Sequence, residues 1–88
     1  MHIGEALMPR DTAVQLASDE LTRVVARNAR YYGKLPNMQP DPQRPLMDGI
    51  RADDTWYFIP FARRGAGTEP LFVRVNGVTK VVIIERSF

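Results

Sequence analysis

Hydrophobic and polar positions follow a helical pattern in the first third of the chain. Between residues 12 and 32, apolar side chains recur at three- and four-residue steps, which is typical of one stripe along an α-helix. Asp11 is placed to cap the first turn, and Gly33 to end the last one. The pattern predicts a helix over residues 12–32, with these residues facing the core: Val14, Ala17, Leu21, Val24, Val25 and Tyr32.

The pattern breaks in the segment that follows. Residues 34–54 contain four prolines, at positions 36, 40, 42 and 45. Proline has no amide proton and fixes φ, which disfavours both a helix interior and a central strand. We therefore expect an extended, proline-rich connection over residues 34–54, attached to the core at Leu46, Met47 and Ile50.

Residues 55–85 predict a β-meander with strands at 55–62, 70–75 and 78–85. The first strand is rich in aromatic and β-branched residues, and Pro60 within it indicates a sheet edge or a bulge. Asn76-Gly77 is typical of a two-residue type I′ hairpin, which would pair Val75 with Val78.

Together these elements predict the α+β class. We expect one domain over residues 1–88, with the helix packed across a three-stranded antiparallel sheet in the order α-β-β-β, since 88 residues suit a single core. A helix followed by a meander that opens with Trp56, Tyr57 and Phe58 resembles small bacterial immunity or inhibitor domains and PepSY-type modules. The resemblance concerns the order of elements alone, and it implies no particular site.

Residues able to carry enzymatic chemistry are scarce. The chain has no cysteine, and its single histidine, His2, lies beside the N-terminus; the serines are Ser18 and Ser87. A nucleophilic triad therefore lacks a suitably placed histidine, and a zinc site lacks the cysteine and histidine ligands that it needs. Asp48, Asp53 and Asp54 do not follow the spacing of a calcium-binding loop. We expect no catalytic residue, no metal and no cofactor, and hence a protein that is not an enzyme.

Charge and hydropathy limit the classes of partner and the cellular compartment that we expect for this chain. The net charge is only +2. Residues 1–10 lack the basic start and apolar core of a secretory signal, and no apolar run is long enough to cross a membrane. We expect a cytoplasmic protein without a membrane partner.

The meander has two apolar faces, and one helix covers only one of them. We expect the helix to pack on the first face, which comprises Leu71, Val73, Val75, Val78, Val82 and Ile84. The second carries the candidate partner-binding residues Phe72, Arg74, Val81 and Ile83, with either Trp56 and Phe58 or Tyr57, Ile59 and Phe61 from the first strand. Since monomers rarely expose large apolar patches, we expect another protein, a second copy or the proline-rich connection to cover it.

Basic residues support an alternative function. A positive surface with aromatic platforms can hold single-stranded nucleic acid, and the candidates are Arg23, Arg27, Arg30, Arg63 and Arg64. The competing interpretation is a solvated helix face on which Asp19 pairs with Arg23. We predict a protein-protein interaction module, such as an inhibitor, immunity factor, adaptor or accessory subunit, with nucleic-acid binding as the alternative.

Overall fold

The computed structural model describes residues 7–65 and 67–85, which form a helical layer on one side of an antiparallel sheet. The α+β prediction is confirmed, with five strands in place of three. The helices are α1 (Arg10–Arg27) and α2 (Ala29–Lys34). The strands are β1 (Pro40–Pro45), β2 (Arg51–Asp53), β3 (Trp56–Arg63), β4 (Leu71–Asn76) and β5 (Val82–Ile84), and two short 3₁₀ turns are η1 (Pro36–Met38) and η2 (Met47–Gly49).

The sheet is built around β3. Its order is β1-β3-β4-β5, and β2 also pairs with β3. Strands β1 and β2 share one side of β3, because β1 pairs with the end at Phe61 and Arg63 while β2 pairs with the end at Trp56. Consequently β5 is one edge of the sheet and the broken line of β1 and β2 is the other.

The predicted helix over residues 12–32 is two helices. Helix α1 begins after Pro9, and Asp11 lies in its first turn without making a side-chain cap bond. The break falls at Asn28, whose Nδ2 donates to the Val24 carbonyl at 2.8 Å. Side-chain bonding of this kind competes with the helical backbone ladder. Gly33 lies inside α2 and does not act as the predicted cap.

The core lies between α1 and the sheet. Three residues at four-residue steps, Ala13, Ala17 and Leu21, are fully buried on α1. The two alanines let the helix backbone approach the sheet closely, where it meets buried side chains of β3 and β4: Ile59, Phe61, Leu71, Val73 and Val75. Of the predicted stripe, Ala17 and Leu21 are buried, and Val14 and Val25 are partly buried against the core. Val24 and Tyr32 are only half-buried, and the buried Ala13 was not among the predicted residues.

The prolines of the connection did not prevent strand formation, so the expectation that residues 34–54 form only an extended connection was wrong. Strand β1 lies at the sheet edge, where a missing amide proton faces no required partner. Ser18 Oγ donates to the Pro42 carbonyl at 2.8 Å, which ties β1 to α1. The segment thus adds two strands to the sheet.

Pro60 interrupts pairing as predicted, but β3 is a central strand and not an edge. On one side Pro60 is paired with Phe72 of β4. On the other side β1 has ended and β2 has not begun, and the Leu46 amide donates to the Pro60 carbonyl at 2.8 Å. The missing amide proton therefore coincides with the gap between β1 and β2.

The predicted type I′ hairpin is replaced by a longer turn. Val75 pairs with Val82 and Val73 with Ile84, a displacement of four residues from the predicted register. The Asn76 side chain accepts hydrogen bonds from the amides of Val78 and Thr79, both at 2.9 Å. Because four is an even number, the strand residues stay on their predicted faces. Val78, which was predicted to lie on the sheet face beneath the helix, lies in the turn and is exposed.

Gly33→Ala is expected to raise the free energy of unfolding by about 0.4–1 kcal/mol, because alanine favours the helix and restricts the unfolded chain. A Cβ at Gly33 would meet nothing within 4 Å. Gly67 provides the control, since its φ of 73° makes alanine strained there. Urea denaturation of both variants checks the sign. A loss of stability in Gly33→Ala would contradict the helical conformation of α2.

Candidate functional site

The side of the sheet turned away from α1 is called the outer face here, and strand register fixes its membership. Inward residues of β3 pair with inward residues of β4, as in Ile59 with Val73. The alternate residues therefore point outward. The described side chains at the centre of this face are Trp56 and Phe58 of β3, Phe72 and Arg74 of β4, and Ile83 of β5.

Register also resolves the ambiguity in the first predicted strand. Of its two possible aromatic sets, Trp56 and Phe58 belong to the outer face. Ile59 and Phe61 are fully buried beneath α1. Tyr57 faces the same way, and its hydroxyl donates to the Met8 carbonyl at 2.8 Å. The outer face thus receives the indole and one phenyl ring.

Three of the four predicted partner-binding residues lie together in β4 and β5. Phe72 and Arg74 are half-buried, and Ile83, which pairs with Arg74, is 37% exposed. Val81 is 47% exposed and lies just before β5, so it belongs to the rim of the face. The outer face consequently has an apolar centre that remains in contact with solvent.

Arginines lie against the aromatic rings of this face. The Arg74 guanidinium carbon is 5.6 Å from the centre of the Trp56 ring, and the Arg51 carbon is 5.7 Å from that of Phe58. Both distances suit cation-π attraction. Sequence reasoning missed Arg51, because its strand, β2, falls in the segment that was expected to be a connection.

Acidic side chains balance these arginines. Arg74 Nε lies 3.0 Å from Glu85 Oε1, an ion pair whose alignment is too poor for a hydrogen bond, so the buried Nε is left without one. Asp53 pairs with Trp56 at the other end of the face. A depression of about 360 Å³ opens beside Phe72 and is lined by Glu69, Pro70, Phe72 and Glu85. The outer face is therefore apolar and aromatic with charges of both signs.

Only a small part of the outer face is covered by the proline-rich segment. Gly49 of η2 lies against Pro60, where an added Cβ would come within 2.9 Å of Pro60 Cγ. Pro60 is buried as a result. Leu46 and Met47 beside it are 42% and 38% exposed. Among the described residues, this turn covers the Pro60 end and leaves Trp56, Phe58 and Ile83 accessible to a partner.

Most of the arginines that were predicted to bind nucleic acid form ion pairs or hydrogen bonds with other residues of the chain. Arg23 Nη2 pairs with Glu20 at 2.6 Å and Arg27 with the same carboxylate at 3.5 Å. The Asp19–Arg23 pair of the competing interpretation is not formed, and Asp19 Oδ1 accepts from Gln15 Nε2 at 2.9 Å. Arg63 donates to the carbonyls of Met38 and Glu69. Arg30 and Arg64 are exposed.

Features for catalysis or metal binding are sparse in the described part of the chain. No group of three or more His, Cys, Asp or Glu side chains within residues 7–65 and 67–85 is arranged to hold a metal ion. Ser18 Oγ is bonded to a backbone carbonyl, while His2 and Ser87 lie outside the described residues. No helix within the described ranges is both long and apolar enough to cross a membrane.

Comparison with known proteins does not assign this chain to a family. No family model matches this chain, and no curated protein or solved structure does. The site must therefore be interpreted from its own geometry.

Proposed function

We propose that this protein is a protein-protein interaction module without catalytic chemistry, and that its outer face is the contact surface. The observation that carries the proposal is the aromatic content of that face: Trp56 and Phe58 point outward from β3, and Phe72 of β4 lies diagonally next to Phe58, on the layer opposite α1. Exposed aromatic and arginine side chains are enriched in protein interfaces, and they dominate binding energy there.

Charge on the outer face favours a protein partner over nucleic acid. The arginines at positions 51 and 74 are matched by the carboxylates of Asp53 and Glu85, so the face has no excess of positive charge. A phosphate backbone requires such an excess. A protein surface with charges of both signs around an apolar centre is the better complement.

Phe72→Asp is expected to abolish capture of the partner while leaving the fold intact. Phe72 is half-buried on the outer face, so the charge can be hydrated in the free protein but would be desolvated in a complex. The experiment is a tagged pull-down from the source organism's lysate at high salt, with and without nuclease, read by mass spectrometry. One stoichiometric protein retained by the wild type and lost from Phe72→Asp is the expected result.

Leu35→Asp serves as the matched control. Leu35 is an exposed leucine between α2 and η1, outside the outer face. The Leu35→Asp variant should retain the partner as the wild type does. Equal retention by Phe72→Asp and the wild type would overturn the proposal, and recovery that disappears with nuclease would favour the arginine-based alternative.

A further inference from the structure

We infer that Asn76 is a site of self-modification, at which the side-chain amide is converted to aspartate or isoaspartate when the turn between β4 and β5 opens. The dipeptide Asn76-Gly77 supplies both reacting groups, and water is the only co-reactant. The closed turn suppresses the reaction, so opening of the turn sets its rate. The reaction requires no partner, and it therefore goes beyond the proposed interaction function.

The reaction starts at the backbone nitrogen of Gly77. Hydroxide removes the proton of this nitrogen, which then attacks the Cγ atom of Asn76. The new N–Cγ bond closes a succinimide ring, and the Cγ–Nδ2 bond breaks to release ammonia, whose nitrogen takes a proton from water. Water then opens the ring at either carbonyl, so the net change is the uptake of one water and the loss of one ammonia. Glycine after asparagine favours ring closure, because it has no Cβ and its backbone rotates freely.

The closed turn holds the Gly77 nitrogen away from this reaction. Its N–H donates to the Thr55 carbonyl at 2.7 Å, and Gly77 is buried. The Gly77 carbonyl accepts from the Met8 amide at 3.0 Å, so hydrogen bonds to two other segments fix this residue. A buried and hydrogen-bonded N–H loses its proton less readily than one in water, because the resulting charge is poorly solvated. The nucleophile is therefore suppressed while the turn is closed.

The Asn76 side chain is held as firmly as the nitrogen that must attack it. Its Nδ2 atom donates to Thr55 Oγ1 at 3.0 Å, and its Oδ1 atom accepts from the amides of Val78 and Thr79. The two amides polarise the carbonyl, which favours attack. Ring closure, however, rotates Cγ onto the Gly77 nitrogen, draws Oδ1 away from both amides and removes Nδ2. Water must also reach a residue that is only 7% exposed.

The β4–β5 turn is well suited to open while the rest of the domain stays folded. Strand β5 has three residues and lies at an edge of the sheet, where Val81 and Ile83 are exposed. Lys80 has a φ of 66°, in the left-handed region that is unfavourable for a residue with a Cβ. Segments with exposed hydrogen bonds and few buried contacts open at a lower free energy than the whole protein. Opening of this turn releases the bonds that suppress both reacting groups.

Either product is expected to weaken the turn from which it forms. A carboxylate replaces the amide at a nearly buried position, where Nδ2 donated to Thr55. Burial of a charge is unfavourable. Isoaspartate also lengthens the backbone by one methylene group just before the turn, where β4 pairs with β5 through Val75 and Val82. The modified chain should therefore hold β5 less firmly.

The experiment follows the modification of Asn76 by peptide mapping with mass spectrometry. The protein is incubated at one mildly alkaline pH, either native or unfolded in guanidinium chloride, and the Asn76→Asp variant supplies the reference peptide for the aspartyl product. We expect the native protein to react at least about a hundredfold more slowly than the unfolded chain, because only the opened turn reacts. Both aspartate and isoaspartate should form.

Two substitutions should shift the native rate in opposite directions. Thr55→Val removes the acceptor of Nδ2 and should speed the reaction about fivefold or more. Lys80→Gly relieves the left-handed backbone and should slow it about threefold or more. Thr68→Val is the matched control, since it removes a hydroxyl that donates to the Gly65 carbonyl in a different turn, and it should react as the wild type does. All four proteins should react equally fast in guanidinium chloride.

Three outcomes would overturn the inference. Equal rates in the native and unfolded protein would show that the fold does not control the reaction. Native rates that are unchanged in both Thr55→Val and Lys80→Gly, or that shift equally in Thr68→Val, would show that the β4–β5 turn does not control it. An Asn76 that stays intact in the unfolded chain would remove the site itself. Capture of a partner plays no part in these measurements, so they are independent of the proposed function.

Discussion

Phe61→Ala is expected to lower the free energy of unfolding by about 3–5 kcal/mol, the largest effect of any single truncation considered for this protein. Phe61 is fully buried and is the largest side chain in that state among residues 7–65 and 67–85. It pairs with Leu71 on the inner side of the sheet and belongs to the cluster beneath α1. Removing the ring leaves a cavity that the surrounding strands cannot fill by small shifts.

The control for this prediction is Phe72→Ala, which removes the same ring from the other side of the same sheet. Phe72 is only half-buried, so in dilute solution its loss should cost much less than that of Phe61. Chemical denaturation of the two variants measures the difference. Equal destabilisation would contradict the assignment of the inner and outer faces.

Asn76→Ala is expected to cost about 2–3 kcal/mol, because it leaves buried polar groups without partners. The Asn76 Oδ1 atom accepts from the amides of Val78 and Thr79, and its Nδ2 atom donates to Thr55 Oγ1 at 3.0 Å. The residue is 7% exposed. These three bonds hold the β4–β5 turn and join it to the turn before β3.

Asn76→Asp is the informative comparison, since it keeps the acceptor for the two amides, replaces the Nδ2 donor to Thr55 with an oxygen, and adds a charge at a nearly buried position. Its unfolding midpoint in urea should lie between those of the wild type and Asn76→Ala. An Asn76→Ala variant within about 0.5 kcal/mol of the wild type would show that the side chain does not organise this turn.

The fold could be predicted where side-chain periodicity reflects burial. Ala17 and Leu21 recur at a helical period, and Val73 and Val75 alternate at a strand period, so both layers were predicted. Strands β1 and β2 could not be predicted, because their residues adopt the strand conformation only through hydrogen bonding to β3, which local sequence patterns do not reveal. Asn76-Gly77 misled because the Asn76 side chain accepts from the amides of Val78 and Thr79 and so forms a different, longer local turn than the predicted type I′ turn.

The candidate site was predicted in part for the same reason. Phe72, Arg74 and Ile83 follow from alternation in the last two strands. Both faces of β3 are apolar, however, so only register could select Trp56 and Phe58. Arg51 had no signal in the sequence, since its place on the face depends on where β2 pairs.

The most direct test of the central claim uses Trp56, the single tryptophan of the chain, which lies on the outer face. The measurement is the quenching of its fluorescence by acrylamide, in the complex that the protein forms and in the Phe72→Asp variant. We predict that complex formation shields Trp56 and lowers the quenching constant well below that of the variant. An unchanged quenching constant in a fully formed complex would show that the partner binds elsewhere, and would contradict the outer face as the contact surface.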